Sequence, residues 1–159
     1  MNIELLWRTP LDLIETSPSD SQDYLLDNDS ARRVPEKAGI YVFARRFGTL
    51  YEPLYVGQAD NLRLRINQHL KTNVALMKAM REAKSGARSI LIAEIRTRQG
   101  QQVQRVLDIV ERAFIAEAVR SGSSLVNRQL VAQNFHEIAS TGAKASRGPF
   151  PPSLSVPIT

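Results

Sequence analysis

The stretch GIYVFARRFGTLYEPLYVG, residues 39–57, determines the fold that the sequence predicts. Residues 39–46 read as an apolar, alternating strand, and residues 54–57 read as a second, shorter strand. Between them, residues 47–53 contain a glycine and a proline, which is typical of a connecting loop. Two strands joined by a short loop predict an antiparallel hairpin.

Helical periodicity and one further strand follow this hairpin. A helix is predicted to begin near Asp60, a favourable N-cap residue, with Leu62, Ile66 and Leu70 on its buried side. Three more elements are predicted beyond it: a helix over residues 73–86, a strand over residues 88–96 and an amphipathic helix over residues 101–122. The order of elements predicts an α+β fold, with a small three-stranded, mainly antiparallel sheet flanked by helices.

The chain length of 159 residues predicts one domain, and the composition adds a segment at each end. Residues 1–34 are acidic and rich in Ser, Asp and Pro, which predicts an irregular N-terminal arm with a short helix near Pro10–Glu15. Residues 35–133 hold the hairpin, helices and third strand of the predicted domain. Residues 134–159 are rich in Gly, Ala, Ser and Pro, and such a composition buries too little apolar surface to offset its ordering entropy. We therefore predict a flexible tail.

The composition also limits the compartment. The chain has no cysteine, which excludes disulfides and thiolate metal sites and is consistent with a reducing environment. No apolar run approaches the roughly 20 residues that cross a bilayer. The N-terminus has acidic residues where a signal peptide would have a basic flank. We expect a cytoplasmic protein that does not enter a membrane.

Charge is unevenly distributed along the chain. The formal charge is +5, from 21 basic and 16 acidic residues. Between Arg63 and Arg105 the basic residues are opposed by Glu82 and Glu94 alone, whereas the first thirty residues are strongly acidic. A basic middle is typical of a protein that binds a polyanion such as DNA. A solvated surface with basic side chains on several faces is the alternative explanation.

Glu111 interrupts an apolar row in the last predicted helix. Val103, Leu107, Ile115 and Val119 recur at four-residue spacing, and Glu111 occupies the remaining position. A carboxylate in such a row is costly to bury without a partner. Three explanations stay open on this observation: exposure at the edge of the core, pairing with an arginine, or a metal ion in a cleft.

Two tripeptides, Gly39-Ile40-Tyr41 and Tyr55-Val56-Gly57, stand at the two ends of the predicted hairpin. They resemble the two motifs that define the GIY-YIG endonuclease family, and the resemblance extends from about Pro35 to Gln129. Four further positions match in order: Arg65 ten residues after Tyr55, His69 one helical turn later, Glu111 in VERAFI, and Asn127 in LVN. Because these matches occur in order and at workable spacing, the resemblance is specific. It favours the metal-binding explanation for Glu111.

The resemblance implies a metal-dependent DNA endonuclease that uses one Mg²⁺ or Mn²⁺ ion, with Glu111 as its protein ligand. Arg65 would hold the scissile phosphate through paired hydrogen bonds. Tyr55 would orient or deprotonate the attacking water. Tyr41 would bind the phosphate or Tyr55, and His69 would contact the phosphate or share the proton transfer.

Other residues have supporting roles in this interpretation. Gly39, Gly57 and Asn127 would support the catalytic set. Five basic residues are candidates for contacts with the flanking DNA backbone: Arg63, Lys71, Lys78, Arg81 and Lys84.

Two alternatives to a free-standing nuclease remain. One is a DNA-binding module that does not cut. The other is a nuclease domain that is active only in an assembly, with the N-terminal arm binding a protein partner or the chain forming a homodimer. One departure is Gln58, which stands where excision-repair members carry a lysine. His69 and His136 are too few for a zinc site, and no glycine-rich phosphate loop is present.

Overall fold

The computed structural model describes residues 2–17, 22–127, 135–139 and 153–157. Its strands, in chain order, are β1 (Glu4–Trp7), β2 (Leu11–Asp12), β3 (Ile14–Glu15), β4 (Tyr24–Leu25), β5 (Gly39–Phe47), β6 (Leu50–Ala59), β7 (Ala87–Arg96), β8 (Phe135–Ala139) and β9 (Ser153–Pro157). Its helices are α1 (Asn28–Arg33), α2 (Leu62–Thr72), α3 (Val74–Glu82) and α4 (Val103–Arg120).

The predicted hairpin is the pair β5–β6, and it is longer than the sequence indicated. The turn is confined to Gly48 and Thr49, because residues 50–53 pair with β5 instead of forming a loop. Gly48 has a φ of +60°, a conformation that favours glycine. At Leu54 the register shifts by one residue, next to Pro53, which has no N–H to donate.

The main sheet has five strands, not the three that were predicted. Its order is β1-β7-β5-β6, with β2 also paired to β7, and every pairing is antiparallel. The α+β class and the mainly antiparallel sheet are therefore confirmed. The two added strands come from the N-terminal arm, where Leu5 pairs with Ile95 and Leu11 with Ile90.

The arm is thus largely ordered, and the short helix predicted near Pro10–Glu15 is wrong. Strands β2 and β3 occupy those residues. The arm forms strands because the backbone N–H and C=O groups on the outer edge of β7 need hydrogen-bond partners. The arm supplies them, as when Arg8 N–H donates to the Ile92 carbonyl at 2.9 Å. The local composition of an acidic segment does not reveal such a long-range pairing.

Helices cover both faces of the sheet because successive residues of β5 point to opposite sides. Tyr41 and Phe43 face α2 and α3, in a core that includes Ile66 and Met80. Ile40, Val42 and Ala44 face α4, in a second core. Within the predicted row of α4, Leu107 and Ile115 are buried but Val103 is exposed.

The C-terminal segment contains one described feature, the antiparallel pair β8–β9. The prediction of a flexible tail over residues 134–159 otherwise falls outside the described residues. Among the residues that are described, no helix is both long and apolar enough to cross a membrane.

Candidate active site

Tyr41 and Tyr55 lie on the same face of the β5–β6 hairpin. Tyr41 pairs with Gly57 and Phe43 pairs with Tyr55, so the two tyrosines are diagonal neighbours. Their rings are nearly parallel, with 6.3 Å between centroids and 12° between planes. A Cβ at Gly57 would overlap the Tyr41 hydroxyl and ring. Glycine at that position therefore leaves the space that the Tyr41 side chain crosses.

His69 joins the two tyrosines from helix α2. Its Nε2 lies 2.6 Å from the Tyr41 hydroxyl, and its ring packs edge-on against Tyr55 with 5.1 Å between centroids. His69 and Tyr41 are both almost fully buried, at 4% and 1% exposure. Helix α2 presents His69 inward because it lies three and seven residues beyond Ile66 and Leu62, which are also buried. We call Tyr41, Tyr55 and His69 the aromatic cluster.

Burial sets the protonation of the aromatic cluster. It raises the pKa of Tyr41, and the nearby Tyr55 raises it further, whereas Arg65 lowers it. Burial likewise raises the pKa of Tyr55, and Arg65 opposes that shift. Burial lowers the pKa of His69 to about 4, and the positive charge of Arg65 acts in the same direction. All three groups are therefore neutral at pH 7.

Arg65 lies on the exposed side of the same helix, one turn before His69. Its guanidinium donates to the Gln68 side chain at 2.7 Å. It is close enough to shift the pKa values of Tyr41, Tyr55 and His69. The structure thus brings Arg65 to the aromatic cluster and leaves its guanidinium in contact with solvent.

Glu111 is half-buried on α4, and its partner is an amide, not an arginine. Gln58 Nε2 donates to Glu111 Oε2 at 3.1 Å and to Asp108 Oδ1 at 2.7 Å. Gln104 donates to both Gln58 and Asp108. We call Gln58, Gln104, Asp108 and Glu111 the carboxylate network. Burial raises the pKa of Glu111, and the Asp108 charge raises it further.

The carboxylate network connects to the aromatic cluster. Glu111 is near enough to raise the pKa of both Tyr41 and Tyr55 through its negative charge. Gln58 and Gln104 line one side of an open cleft of about 520 Å³, and Arg65 and Gln68 line the other. Of the five side chains predicted as catalytic, Arg65 lines this cleft. The other four lie near Arg65 and one another, as their ring contacts and mutual effects on pKa values indicate.

The predicted supporting residues act on the backbone. A Cβ at Gly39 would overlap the Ala93 carbonyl oxygen, so glycine permits close approach of β5 and β7. Asn127 is buried and donates to the Val56 carbonyl at 2.6 Å. Val126 N–H donates to the Leu54 carbonyl at 2.8 Å. Residues 126–127 therefore pair with the free edge of β6, behind Tyr55.

The predicted DNA-contact residues differ in how freely they reach solvent. Arg63 pairs with Glu36, Lys78 with Glu82, and Arg81 with both Glu15 and Asp23. Lys71 and Lys84 are exposed and form no ion pair within the described part of the chain. Several acids of the N-terminal arm thus neutralise basic residues of the domain, which reduces the basic surface that the sequence suggested.

Several residues of the site were not predicted from the sequence. Neither Asp108 nor Gln104 was predicted to belong to the site. Asp108 precedes Glu111 by three residues, however, and therefore lies on the same face of the helix. That spacing was the available signal. Gln58 was noted as a departure from repair enzymes, but its contact with Glu111 depends on the packing of α4 against β6, which no local pattern reveals.

The carboxylate network fits a divalent cation with few protein ligands. Glu111 and Asp108 provide the hard oxygen donors that Mg²⁺ and Mn²⁺ prefer, and a cation would offset the repulsion between them. Among the residues described, no three His, Asp or Glu side chains converge as a metal site. Such an ion would hold water and substrate oxygens at its remaining positions, which is usual for Mg²⁺.

Comparisons with known proteins identified no relative. No family model matches the chain, and neither the curated proteins nor the solved structures contain a match.

Proposed function

We propose that this chain is a metal-dependent DNA endonuclease of the GIY-YIG type, which hydrolyses phosphodiester bonds with one divalent ion. The observation that carries the proposal is the convergence of five side chains that lie up to 70 residues apart in sequence, from Tyr41 to Glu111. Tyr41 and His69 are hydrogen-bonded, and both Arg65 and Glu111 act on the tyrosine hydroxyls. Packing alone does not require this combination of groups.

Arg65 binds the scissile phosphate in this proposal. Its guanidinium is exposed at the cleft, and its contact with Gln68 on the surface is readily exchanged for a phosphate. A guanidinium donates two parallel hydrogen bonds to phosphate oxygens and stabilises charge that develops in the transition state. Tyr41, held by His69, donates a hydrogen bond to Tyr55.

Tyr55 orients the attacking water. It is the less buried of the two tyrosines, so its hydroxyl is the one nearer to solvent. Its raised pKa keeps it protonated at pH 7, and its hydroxyl oxygen then accepts a hydrogen bond from the water. Tyr55 removes a proton only when a nearby positive charge lowers its pKa, and Arg65 already acts in that direction.

Glu111 would hold the divalent cation, with its carboxylate fixed by Gln58, whose amide also donates to Asp108. When bound, the ion supplies positive charge that stabilises the leaving 3′ oxygen. A bound cation would favour the ionised form of Glu111 against the burial that raises its pKa.

The flanking DNA backbone contacts the exposed basic residues, and Lys71 and Lys84 are the most available of them. Arg63 and Arg81 contact DNA only by exchanging their present carboxylate partners for phosphates. The alternative of an assembly that docks on the N-terminal arm has no support from the fold, since β1 and β2 are part of the sheet. Removal of residues 1–30 would therefore expose the edge of β7 and would not test docking alone.

Nicking of supercoiled plasmid tests the proposal. The native chain should cut with Mg²⁺ or Mn²⁺ and not with EDTA. Glu111→Gln and Arg65→Ala should each lower the rate by roughly 100-fold or more. Matched controls are Glu117→Gln and Arg120→Ala on the exposed surface of α4, where the two residues pair with each other.

Two outcomes contradict the proposal. If the native chain binds plasmid but cuts under neither metal, it is a non-cleaving binding module. If Glu111→Gln cuts as fast as Glu117→Gln, the metal-site assignment is wrong.

A further inference from the structure

Asn73 connects the two helices on the side of the aromatic cluster. It ends α2 and serves as the N-cap of α3. Its Oδ1 accepts a hydrogen bond from the Leu76 backbone N–H at 3.0 Å. Its Nδ2 lies 2.9 Å from Nδ1 of His69. One side chain therefore contacts both the backbone of α3 and the imidazole ring that holds Tyr41.

The helix cap fixes the direction of the second contact. The Leu76 N–H is only a donor, so the atom that faces it must be the amide oxygen of Asn73. The amide nitrogen, which is only a donor, then faces His69. Reversing the amide would place an NH₂ group against the Leu76 N–H. His69 Nδ1 is consequently the acceptor of this hydrogen bond and carries no proton.

The same reasoning extends to Tyr41. A neutral imidazole with an unprotonated Nδ1 has its proton on Nε2. Nε2 therefore donates to the Tyr41 oxygen across 2.6 Å. The Tyr41 hydroxyl proton is not used in that bond, and the hydroxyl oxygen of the neighbouring Tyr55 is placed to accept it. The low pKa of His69 agrees with a neutral ring.

We infer that Asn73 is a positioning residue: it holds His69 in the Nε2–H tautomer and so makes Tyr41 a hydrogen-bond donor toward Tyr55. The tautomer depends only on the described contacts. That Tyr55, held in this way, orients the attacking water rests on the proposed function. In this arrangement Nδ1 is engaged by Asn73 and Nε2 is already protonated, so His69 accepts no proton from the attacking water. This orienting role for His69 differs from both roles that the resemblance implied, contact with the phosphate or a share in the proton transfer.

The tautomer is directly measurable because the chain has two histidines, His69 and His136. Long-range ¹H–¹⁵N correlation spectra of the ¹⁵N-labelled full chain near pH 7 distinguish a protonated ring nitrogen from an unprotonated one. His136→Gln assigns the remaining signals to His69. We expect a protonated Nε2 and an unprotonated Nδ1. A proton on Nδ1, or a cationic ring, in the native chain would overturn the inference.

Asn73→Asp is the sharpest variant, since aspartate also caps a helix. It keeps an acceptor for the Leu76 N–H but presents only acceptor oxygens to His69 Nδ1. The proton should then move to Nδ1, or the ring should become cationic with a pKa above its present value of about 4. Tyr41, Tyr55 and Arg65 also face this ring and are unchanged.

The matched control is Asn61→Asp at the N-cap of α2, where the side chain accepts from the Leu64 N–H. It should leave the His69 tautomer unchanged. If Asn73→Asp also keeps a protonated Nε2 and an unprotonated Nδ1, the inference fails. Should Asn73→Asp not fold, the spectrum of the native chain still decides. The spectra do not depend on cleavage, so a chain with the expected tautomer that never cuts DNA refutes the proposed function and not the role of Asn73.

Discussion

The aromatic cluster and the carboxylate network lie close enough for Glu111 to shift the pKa values of Tyr41 and Tyr55, but the structure holds them by different means. Tyr41 and His69 are almost fully buried, packed against the hydrophobic core under α2 and α3. Glu111 and Asp108 are half-exposed and are held by hydrogen bonds from Gln58 and Gln104. The aromatic cluster is thus part of the folding core, whereas the carboxylate network lies at its edge.

This difference predicts different responses to mutation. A change in the aromatic cluster should lower stability and activity together, because buried residues serve both. A change in the carboxylate network should lower metal binding and cleavage while leaving stability almost unaltered, because surface substitutions usually change stability by less than about 0.5 kcal/mol.

The largest effect is expected for Gly57→Ala. The added methyl group would overlap the Tyr41 hydroxyl, which has no room to withdraw because the ring is buried. We expect a loss of about 1–3 kcal/mol in the free energy of unfolding and, from the displaced hydroxyl, roughly a 100-fold lower cleavage rate. Chemical denaturation and plasmid nicking measure the two effects.

Gly122→Ala is the control for that variant. Gly122 has a φ of +85°, and no described atom lies within 4 Å of the place that an added methyl group would take. Any loss of stability in Gly122→Ala should therefore come from the strained backbone conformation alone, and the cleavage rate should be unchanged. If Gly57→Ala loses neither stability nor activity, the aromatic cluster is not a tightly packed part of the core, contrary to its contrast with the carboxylate network.

Acid pH should destabilise the aromatic cluster through His69. Its pKa is about 4 in the fold and 6.5 in the unfolded chain, so the unfolded state binds more protons between these values. The contribution of His69 to stability is fully present above pH 6.5 and declines as the pH falls through 4. The loss amounts to about 3 kcal/mol between pH 7 and pH 4. Urea denaturation of the native chain and of His69→Gln across this range isolates the effect. Equal pH dependence in both proteins would mean that His69 is not held neutral.

Local pattern predicted the parts of this molecule that local forces determine. The predicted hairpin formed, although its second strand is longer than expected, and a helix formed over Leu62–Thr72 with Leu62, Ile66 and Leu70 buried. The helix begins one residue later than predicted, since Asn61 is the cap. In each case neighbouring residues in sequence are neighbours in space, so periodicity and capping sufficed.

The features that the sequence did not predict depend on contacts between distant residues. Strand β1 forms because Glu4 to Trp7 meet β7 about 90 residues later, and acidic composition hid that pairing. Gln58 meets Glu111 because β6 lies beside α4. The five catalytic candidates were selected by resemblance to a family, and Asn73 was not among them, since its contact with His69 depends on how α2 ends.

Gln58→Ala examines the carboxylate network alone. Removing the amide frees the Glu111 carboxylate, and loss of such an orienting partner typically lowers metal affinity or activity by about 10- to 100-fold. Stability should change little. Isothermal titration with Mn²⁺ measures binding without reference to cleavage. The control is Gln101→Ala. Gln101 lies just before α4, and its side-chain amide donates to the Asn2 carbonyl, away from Glu111. Equal Mn²⁺ affinity in the two variants would show that Gln58 does not orient the site.

The smallest effects are expected on the exposed basic surface, and they separate two kinds of basic residue. Lys71 has no ion-pair partner among the described residues, so Lys71→Ala should remove one phosphate contact and reduce the slope of log affinity against log salt by about 1. Arg81 is paired with Asp23 and Glu15. A phosphate contact by Arg81 must first displace these two carboxylates, so it contributes less to DNA affinity. Arg81→Ala should therefore change the slope by a smaller amount. Fluorescence anisotropy with a short DNA duplex at several salt concentrations measures both slopes. If Arg81→Ala has the larger effect, Arg81 releases Asp23 and Glu15 of the N-terminal arm when DNA binds. The arginines that are paired in the free protein would then form the DNA-binding surface.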